Sequence, residues 1–492
     1  MRNDTLAFED AATRQIAPRP RNLAETGLTQ DFLCDLLAKH FYWGGILNQQ
    51  QLVERTALAW PVLETLLNFM RTSGYIEVLS PNENSMLLRY SLTERGRNLA
   101  LDAQLKSGYV GYAPIPLALY ERVVQAQSIH KNVITRKDMA RIFKDVVIRE
   151  SVLDQLGPAM HSGRPIFVYG PPGTGKTYTG MRLLGLLDDS ILVPYALAVG
   201  DYVVQFFDPS IHHPLTTANK TDRLMLDDGH DPRLVRCQRP SVITGGELTL
   251  EMLELSHDAT TKQYFAPLQL KANNGIYMID DLGRQRVECT DLLNRWIVPL
   301  EQKQDYLTVG SGTRFPVPFD VVLIFSTNLD PLSLADEAFL RRLGYKVRFE
   351  VLTPKEYESI WRQMCGKHAV AFDATAFRYV MELYRRENRP LLPCQPRDLL
   401  GLVMDQCRYE GVTNLITTER RKAQTGSLAD GRGYEGVTNL VTTERLECAW
   451  NSYFVRPVTD PAALSEPTAH YNPDSLRPAS NLLVIDKENR IC

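Results

Sequence analysis

Residues 164–187, RPIFVYGPPGTGKTYTGMRLLGLL, leave this chain little choice of architecture. A nearly all-apolar run enters a glycine turn, and helical spacing begins directly after it. Continuous apolar strands of this kind are buried on both faces, as in parallel sheets covered by helices. The turn, GPPGTGKT from Gly170 to Thr177, satisfies G-x-x-x-x-G-K-[ST] in full, with the strand before it and the helix after it that a phosphate-binding loop requires. Gly173 and Gly175 free the backbone to curl, so that successive N–H groups face an anion that a Cβ would keep out. The helix N-terminus adds positive potential. Lys176 is placed to reach the β and γ phosphates of a nucleotide, and Thr177 to offer its hydroxyl to Mg2+. The candidate nucleotide contacts are Gly170, Pro171, Pro172, Gly173, Thr174, Gly175, Lys176, Thr177 and Tyr178.

A second stretch, NNGIYMIDDLGRQ (273–285), sets four apolar residues, Ile276 to Ile279, before two adjacent aspartates. Two carboxylates at the end of a buried strand are costly unless something positive lies beside them. The divalent cation of a bound nucleotide answers that need. Asp280 is expected to hold a metal-bound water, and Asp281 to orient the water that attacks the γ-phosphate. Enzymes of this type usually carry Glu at the second position. The shorter Asp281 implies a shifted water or slower hydrolysis, and a cap on the following turn is its structural alternative.

Through these two motifs the chain resembles the AAA+ ATPases over about residues 140–455. The resemblance implies an α/β phosphate-loop core, a parallel sheet flanked by helices, with a C-terminal helical lid. It implies Mg2+ and ATP as cofactors, and a homo-oligomer in the form of a hexameric ring. VVLIFSTNLD ends in Asn328, where that family places a polar first sensor for the attacking water. DEAFLRRLGYKVRFE is similar to the segment with an arginine finger, so Arg341 or Arg342 would reach a neighbouring subunit's ATP. PCQPRDLLGL is similar to the second-sensor helix, which would put Arg397 over the γ-phosphate of its own subunit. An arginine supplied in trans neutralises transition-state charge only when subunits assemble.

DYLTVGSGTRFPVPFDVVLIF (305–325) alternates on either side of GSG and reads as a hairpin just before the sensor strand. It is similar to the pre-sensor hairpin of the branch containing MoxR-type chaperones, magnesium chelatase subunits and bacterial enhancer-binding activators. The two nucleotide motifs lie about 100 residues apart, and the excess, including FFDPSIHHPLTTANKTDRLMLDDGHDPR (206–233), reads as a polar insertion on the ring surface. Its His212, His213 and His230 lack carboxylate or cysteine companions at metal-site spacing. Tyr202, Phe206, Tyr264 and Phe265 are candidates for aromatics on a pore loop, with core packing as their alternative.

Residues 1–27 read as a flexible polar tail. Over 28–106, three stretches of helical spacing precede a short two-stranded ribbon and a closing helix, the order of a winged-helix-like α+β domain. That segment holds seven Lys or Arg and eight Asp or Glu, and its presumed recognition helix offers Glu64, Asn68 and Arg71. Duplex binding needs several cations on one face, so docking to protein or a simple structural use is favoured over reading DNA. Residues 107–145 read as a helical linker, 146–350 as the nucleotide-binding α/β domain and 351–455 as the helical lid. Within the lid, YEGVTNLITTER (409–420) recurs as YEGVTNLVTTER (434–445), a local tandem duplication rather than a solenoid. The stretch 456–492, with five prolines, reads as a disordered tail.

A net charge of −3 over 492 residues supplies no overall pull toward nucleic acid or acidic lipid. The eight cysteines are scattered without a C-x-x-C pair, as expected of reduced thiols in the cytoplasm. No secretion signal or spanning apolar run is evident, so no membrane is expected. The leading expectation is an ATP hydrolase that remodels a protein client or adaptor complex in a chaperone-like way. A DNA-acting ATPase, such as a loader, transposition helper or transcription activator, is the alternative, and an ATP-gated scaffold with slow hydrolysis is a third.

Overall fold

Five short apolar strands build the central sheet of the computed structural model, which describes residues 15–80, 87–131, 133–215, 229–310, 312–334, 337–411 and 440–454. Their order across the sheet is Ser241–Thr244, Ile276–Ile279, Val322–Thr327, Ile166–Tyr169 and Tyr345–Arg348, and every neighbouring pair is parallel. Successive side chains of a strand point to opposite faces. Ile166, Val168, Ile276, Met278, Val322 and Ile324 accordingly pack on one side with Val152, Leu156 and Met160 of the helix Glu150–Ser162 and Leu183 of Lys176–Leu183. Phe167, Tyr277, Ile279, Leu323 and Phe325 pack on the other with Leu292, Leu293, Trp296, Phe339 and Leu340. Both faces are covered, so the strands carry no polar alternation. The protein is thus α/β, with a parallel sheet flanked by helices.

The sheet order decides what the strand ends bring together. The strand Val322–Thr327 lies between the one that feeds the glycine loop and the one that ends in the aspartates. Asn328, at its carboxyl end, therefore emerges between Lys176 and Asp281.

The segment between the glycine-loop helix and the acidic strand folds into more than a polar insertion. Ala196–Val199 and Tyr202–Gln205 form an antiparallel pair at the heart of a second five-stranded sheet, completed by Ser256–Asp258, Gln263–Phe265 and Ile115–Pro116. Ser190–Pro194 pairs antiparallel with Leu234–Gln238. Within 206–233, the residues read as surface-displayed include four that are buried: Phe206, His212, Asp231 and Arg233. Residues 216–228 lie outside the described ones. Arg233 is fully buried and every nitrogen is used: Nε and Nη2 donate to Asp231, and Nη1 donates to Thr26 O at 3.0 Å and Pro114 O at 3.1 Å.

Those last two partners correct two boundaries. The stretch 15–27, read as part of a flexible tail, holds the buried Ala17, a β-bridge from Pro18 to His230 and a capped helical turn Leu23–Thr26. The stretch 107–145, read as a helical linker, contributes the strand Ile115–Pro116 to the second sheet, where Ile115 is fully buried. Residues 1–14 and 455–492 lie outside the described residues, as does most of the duplicated segment, 412–439.

In the N-terminal region the helices Gln30–Gly44, Gln49–Thr56 and Trp60–Thr72 precede an antiparallel ribbon of Ile76–Leu79 and Arg89–Leu92, to which the short strand Leu47–Asn48 adds a third member. The helix Glu94–Lys106 follows. In Trp60–Thr72, Val62, Leu63, Leu66, Leu67 and Met70 face the core, and Glu64, Asn68 and Arg71 face outward.

Ahead of the strand Val322–Thr327, the stretch read as a hairpin forms an antiparallel pair, Gln304–Val309 with Thr313–Pro318. Its tip rests on the supposed pore aromatics: Gly310 N–H donates to Tyr264 OH at 2.9 Å, and Tyr264 packs edge-on against Tyr202. Phe206 is buried against Tyr120. These rings support structure instead of lining a free loop, while Phe265 is half buried in the sheet.

The described chain divides into two compact units: residues up to 364 with 381–397 form one, and 365–380 with those from 398 onward form the other. Part of the expected lid thus belongs with the unit that holds the central sheet. Tyr357 OH meets Tyr384 OH at 2.9 Å and Leu352 N–H donates to Leu391 O at 2.9 Å, both inside the first unit. In the second unit, Leu399, Leu400, Val403 and Cys407 are buried, as are Leu446, Ala449 and Trp450 of the helix Thr443–Tyr453, and Tyr453 OH donates to Asp398 at 3.1 Å. No helix among the described residues is long and apolar enough to cross a membrane.

Candidate functional site

The glycine loop runs from the end of the strand Ile166–Tyr169 to the first turn of the helix Lys176–Leu183. Its backbone could not be made by other residues. A Cβ on Gly170, at φ +139°, would lie 2.1 Å from Phe349 O. Gly175 caps the helix at φ +88°, in the left-handed region, and no heavy atom lies within 4 Å of its Cβ position. An open space at the N-terminus of a helix, where the first N–H groups have no partner within the helix, is what an anion site needs. Thr174 is buried and its hydroxyl donates to Pro171 O at 2.8 Å, which closes the turn beneath the exposed Pro171 and Pro172.

Lys176 is only 6% exposed. Its ammonium donates to Gly170 O at 2.8 Å, Pro171 O at 2.9 Å and Asn328 Oδ1 at 2.6 Å, so all three donors are used. Burial pushes its pKa below the ordinary lysine value, and the charges of Asp280 and Asp281 pull it back up. The acidic pair thus has a cationic neighbour within the protein itself.

The two aspartates separate in role through their contacts. Thr177 Oγ1 donates to Asp280 Oδ2 at 2.6 Å, and Asp280 Oδ1 accepts the N–H of Asp281 at 3.0 Å. A hydroxyl and a carboxylate side by side are hard oxygen donors, the type that suits Mg2+. The open cradle beside Gly175 and this oxygen pair both fit a magnesium nucleotide, with Thr177 and Asp280 holding the cation. Asp281 turns the other way: its backbone is left-handed at φ +50°, and its Oδ1 accepts from Asn328 Nδ2 at 2.9 Å.

Lys176, Thr177, Asp280, Asp281 and Asn328 are therefore brought together, from two strand ends and the first turn of one helix. Tyr178 stands apart from them. It is 46% exposed, with its hydroxyl accepting from Arg182 at 2.9 Å and the guanidinium over its ring. Arg397 is exposed on the first turn of Gln395–Tyr409, and a Cβ on Gly173 would meet the side chains of Leu392 and Cys394 just before it. Arg341 and Arg342 close the helix Glu337–Arg342; the first is exposed, and the second is half buried and ion-paired with Glu301 at 2.6 Å. The Lys176 ammonium spends its bonds on Gly170, Pro171 and Asn328, and neither of these arginines is part of that cluster. His212, weighed as a metal ligand, is buried, with Nδ1 accepting from Asp208 N–H at 3.0 Å and Nε2 donating to Lys271 O at 2.9 Å.

Sequence reasoning missed Gln285, whose side-chain amide bonds to the loop after the aspartates. Only its place at the end of IDDLGRQ marked it, and a surface glutamine there would read identically.

Residues 353–420 match a family described as a domain of unknown function, DUF8689. No curated protein matches the chain. Among solved structures it is similar to NtrX from Brucella abortus, at 15% identity and a TM-score of 0.33 over 65% of this chain, and it spans 59% of the length of that one. It is also similar to the Thermotoga maritima RuvB Holliday junction branch migration motor, at 12% identity and a TM-score of 0.33 over 66% of this chain and 72% of that one.

Proposed function

We propose that this protein binds and hydrolyses ATP with Mg2+, in the manner of the AAA+ ATPases it resembles, and works as a ring to remodel a protein client. One observation carries the reading. Lys176 and Asp281 are joined through the single amide of Asn328, next to the Thr177–Asp280 oxygen pair and an open glycine cradle.

The loop N–H groups and Lys176 bind the phosphates, and the low exposure of Lys176 strengthens its charge by excluding water. Thr177 and Asp280 hold the metal, which when bound neutralises charge developing on the transferring phosphoryl group. Asn328 occupies one oxygen of Asp281 and turns the carboxylate so that its other oxygen accepts from the attacking water. Arg397 reaches the γ-phosphate from its own subunit, and Arg341 or Arg342 from a neighbour. Pre-sensor hairpin placement within the MoxR-like branch, and a winged-helix-like N-terminal domain that grips the client, complete the proposal. The near balance of charge over residues 28–106 and the outward Glu64 favour protein over duplex DNA as that partner.

The test is a titration of the full chain with a fluorescent ATP analogue and Mg2+, paired with phosphate release. Wild type is expected to bind and turn over, Lys176→Ala to lose binding, and Asp281→Asn to bind while turnover falls about a hundredfold or more. A wild-type chain that takes up no nucleotide ends the proposal. Turnover that rises with duplex DNA and collapses with salt would replace the protein client with DNA.

A further inference from the structure

One neutral side chain holds the loop that follows the acidic pair. Gln285 Nε2 lies 3.2 Å from Gly245 O, 3.2 Å from Asp280 O and 3.3 Å from Asp281 O, and its Oε1 accepts Gly283 N–H at 2.8 Å. A single amide thereby ties both aspartates' carbonyls to the end of the neighbouring strand Ser241–Thr244. A primary amide suits this place, because its two N–H donors are shared among three carbonyls while its oxygen accepts one N–H.

The clamp sits where the chain is under local strain. Asp281 is a non-glycine residue at φ +50°, a conformation that L side chains avoid and that persists only when surroundings enforce it. That backbone turn sends the carboxylate toward Asn328 and away from Thr177. Besides Gln285, the turn is held by Leu282 N–H on Ser326 O at 2.8 Å and Arg284 N–H on Asp281 O at 3.0 Å. The first holds the residue after Asp281, the second and the bond from Asp281 N–H to Asp280 Oδ1 at 3.0 Å hold Asp281 within its own turn, and the Gln285 amide joins the Asp281 carbonyl to that of Gly245.

We propose that Gln285 is a positioning residue for water activation: it fixes the left-handed backbone of Asp281 and so aims its carboxylate. The inference rests on the ATPase reading above. Gln285 is half buried at an exposed loop, so Gln285→Ala leaves water to satisfy the freed groups and the fold intact. Gln285→Glu keeps the shape and the bond from Gly283 but sets a carboxylate oxygen against three carbonyls.

The experiment measures steady-state ATP turnover and fluorescent-nucleotide affinity for wild type, Q285A and Q285E, each with a thermal unfolding midpoint. Both variants are expected to lose about tenfold to a hundredfold in kcat, with affinity within about threefold of wild type and unchanged midpoints. Single-turnover rates supply a second readout, in which Q285A added to Asp281→Asn costs nothing further because the two residues act as a unit. A kcat within about twofold of wild type in both variants, a parallel loss of affinity, or an additive loss in the double variant overturns the inference. Those results leave the ATPase reading standing, whereas a wild type that neither binds nor turns over ATP removes both.

Discussion

Asn328 donates its side-chain amide to the Asp281 carboxylate at 2.9 Å, while its own carbonyl oxygen accepts from Lys176 at 2.6 Å. A carboxamide is the side chain that can face an ammonium and a carboxylate at once, donor one way and acceptor the other. Lys176 at the end of the glycine loop and Asp281 of the acidic pair are thereby set by one planar group.

Asn328→Ala removes that group. Lys176 keeps Gly170 O and Pro171 O, so binding survives, but Asp281 loses the partner that turns it. Turnover is expected to fall about a hundredfold, with nucleotide affinity changed by no more than about threefold. Phosphate release and a fluorescent-nucleotide titration on one preparation measure the two quantities. Equal loss in both would make Asn328 a binding group.

Arg233 carries a prediction about stability. It is fully buried, pairs with the equally buried Asp231 at 2.8 Å, and spends Nη1 on the carbonyls of Thr26 and Pro114. Arg233→Ala strands a buried carboxylate and two carbonyls, at a cost of about 3–5 kcal/mol. Arg233→Lys is expected to rescue little, since one ammonium cannot reproduce a planar fork with partners on three sides. The Arg233→Ala, Asp231→Ala double variant should be more stable than Arg233→Ala alone, because no orphan charge remains. Denaturant midpoints of the three proteins decide it.

Part of this arrangement is legible in sequence because it is local. The run from Ile166 to Thr177 is a strand, loop and helix in contiguous residues, and the hydroxyl of Thr177 meets Asp280 because the glycine loop and the acidic pair both follow carboxyl ends of strands in one parallel sheet. The rest depends on distant partners. Arg233 reads as a surface residue from its polar neighbours, since its burial follows from carbonyls 207 and 119 positions away in the chain. Tyr264 reads from its own segment either as a pore aromatic or as a packed ring, and the hairpin residue Gly310, donating to its hydroxyl, makes it a support. Gln285 carries no periodicity at all, and its role comes from a left-handed turn at Asp281 that no sequence pattern marks.

His212 predicts a pH dependence. Its ring stacks with Phe206 and with Phe207, and Nδ1 accepts from Asp208 N–H, so a proton on Nδ1 would face another donor. Burial is the main cause that lowers its pKa from 6.5 to about 4. The unfolded chain therefore takes up a proton near pH 6.5 while the folded one does not until about pH 4, so stability from this residue is full above 6.5 and lost as pH falls through that window. The loss amounts to about 3 kcal/mol. His212→Leu should be less stable than wild type at pH 7, and the gap should close by about that amount near pH 4. Urea unfolding at the two pH values measures it; a constant gap would show that the ring is protonated in the fold.

The two arginines at the end of Glu337–Arg342 separate the ring proposal from a self-contained enzyme. Arg342 is tied to Glu301 at 2.6 Å on its own subunit, whereas Arg341 is exposed, so Arg341 is the better placed to enter a neighbour's site. Arg341→Ala is expected to keep ATP affinity and lose turnover by about a thousandfold, the scale of a missing trans arginine. Arg342→Ala should cost far less. Because the missing group belongs to the next subunit, wild-type turnover per chain must rise with protein concentration as assembly proceeds. Mixing supplies the decisive measurement: Arg341→Ala chains, whose own Lys176 is intact, combined with Lys176→Ala chains, whose own Arg341 is intact, should regain activity that neither has alone. A mixture no more active than its parts would confine catalysis to one subunit and remove the ring from the mechanism.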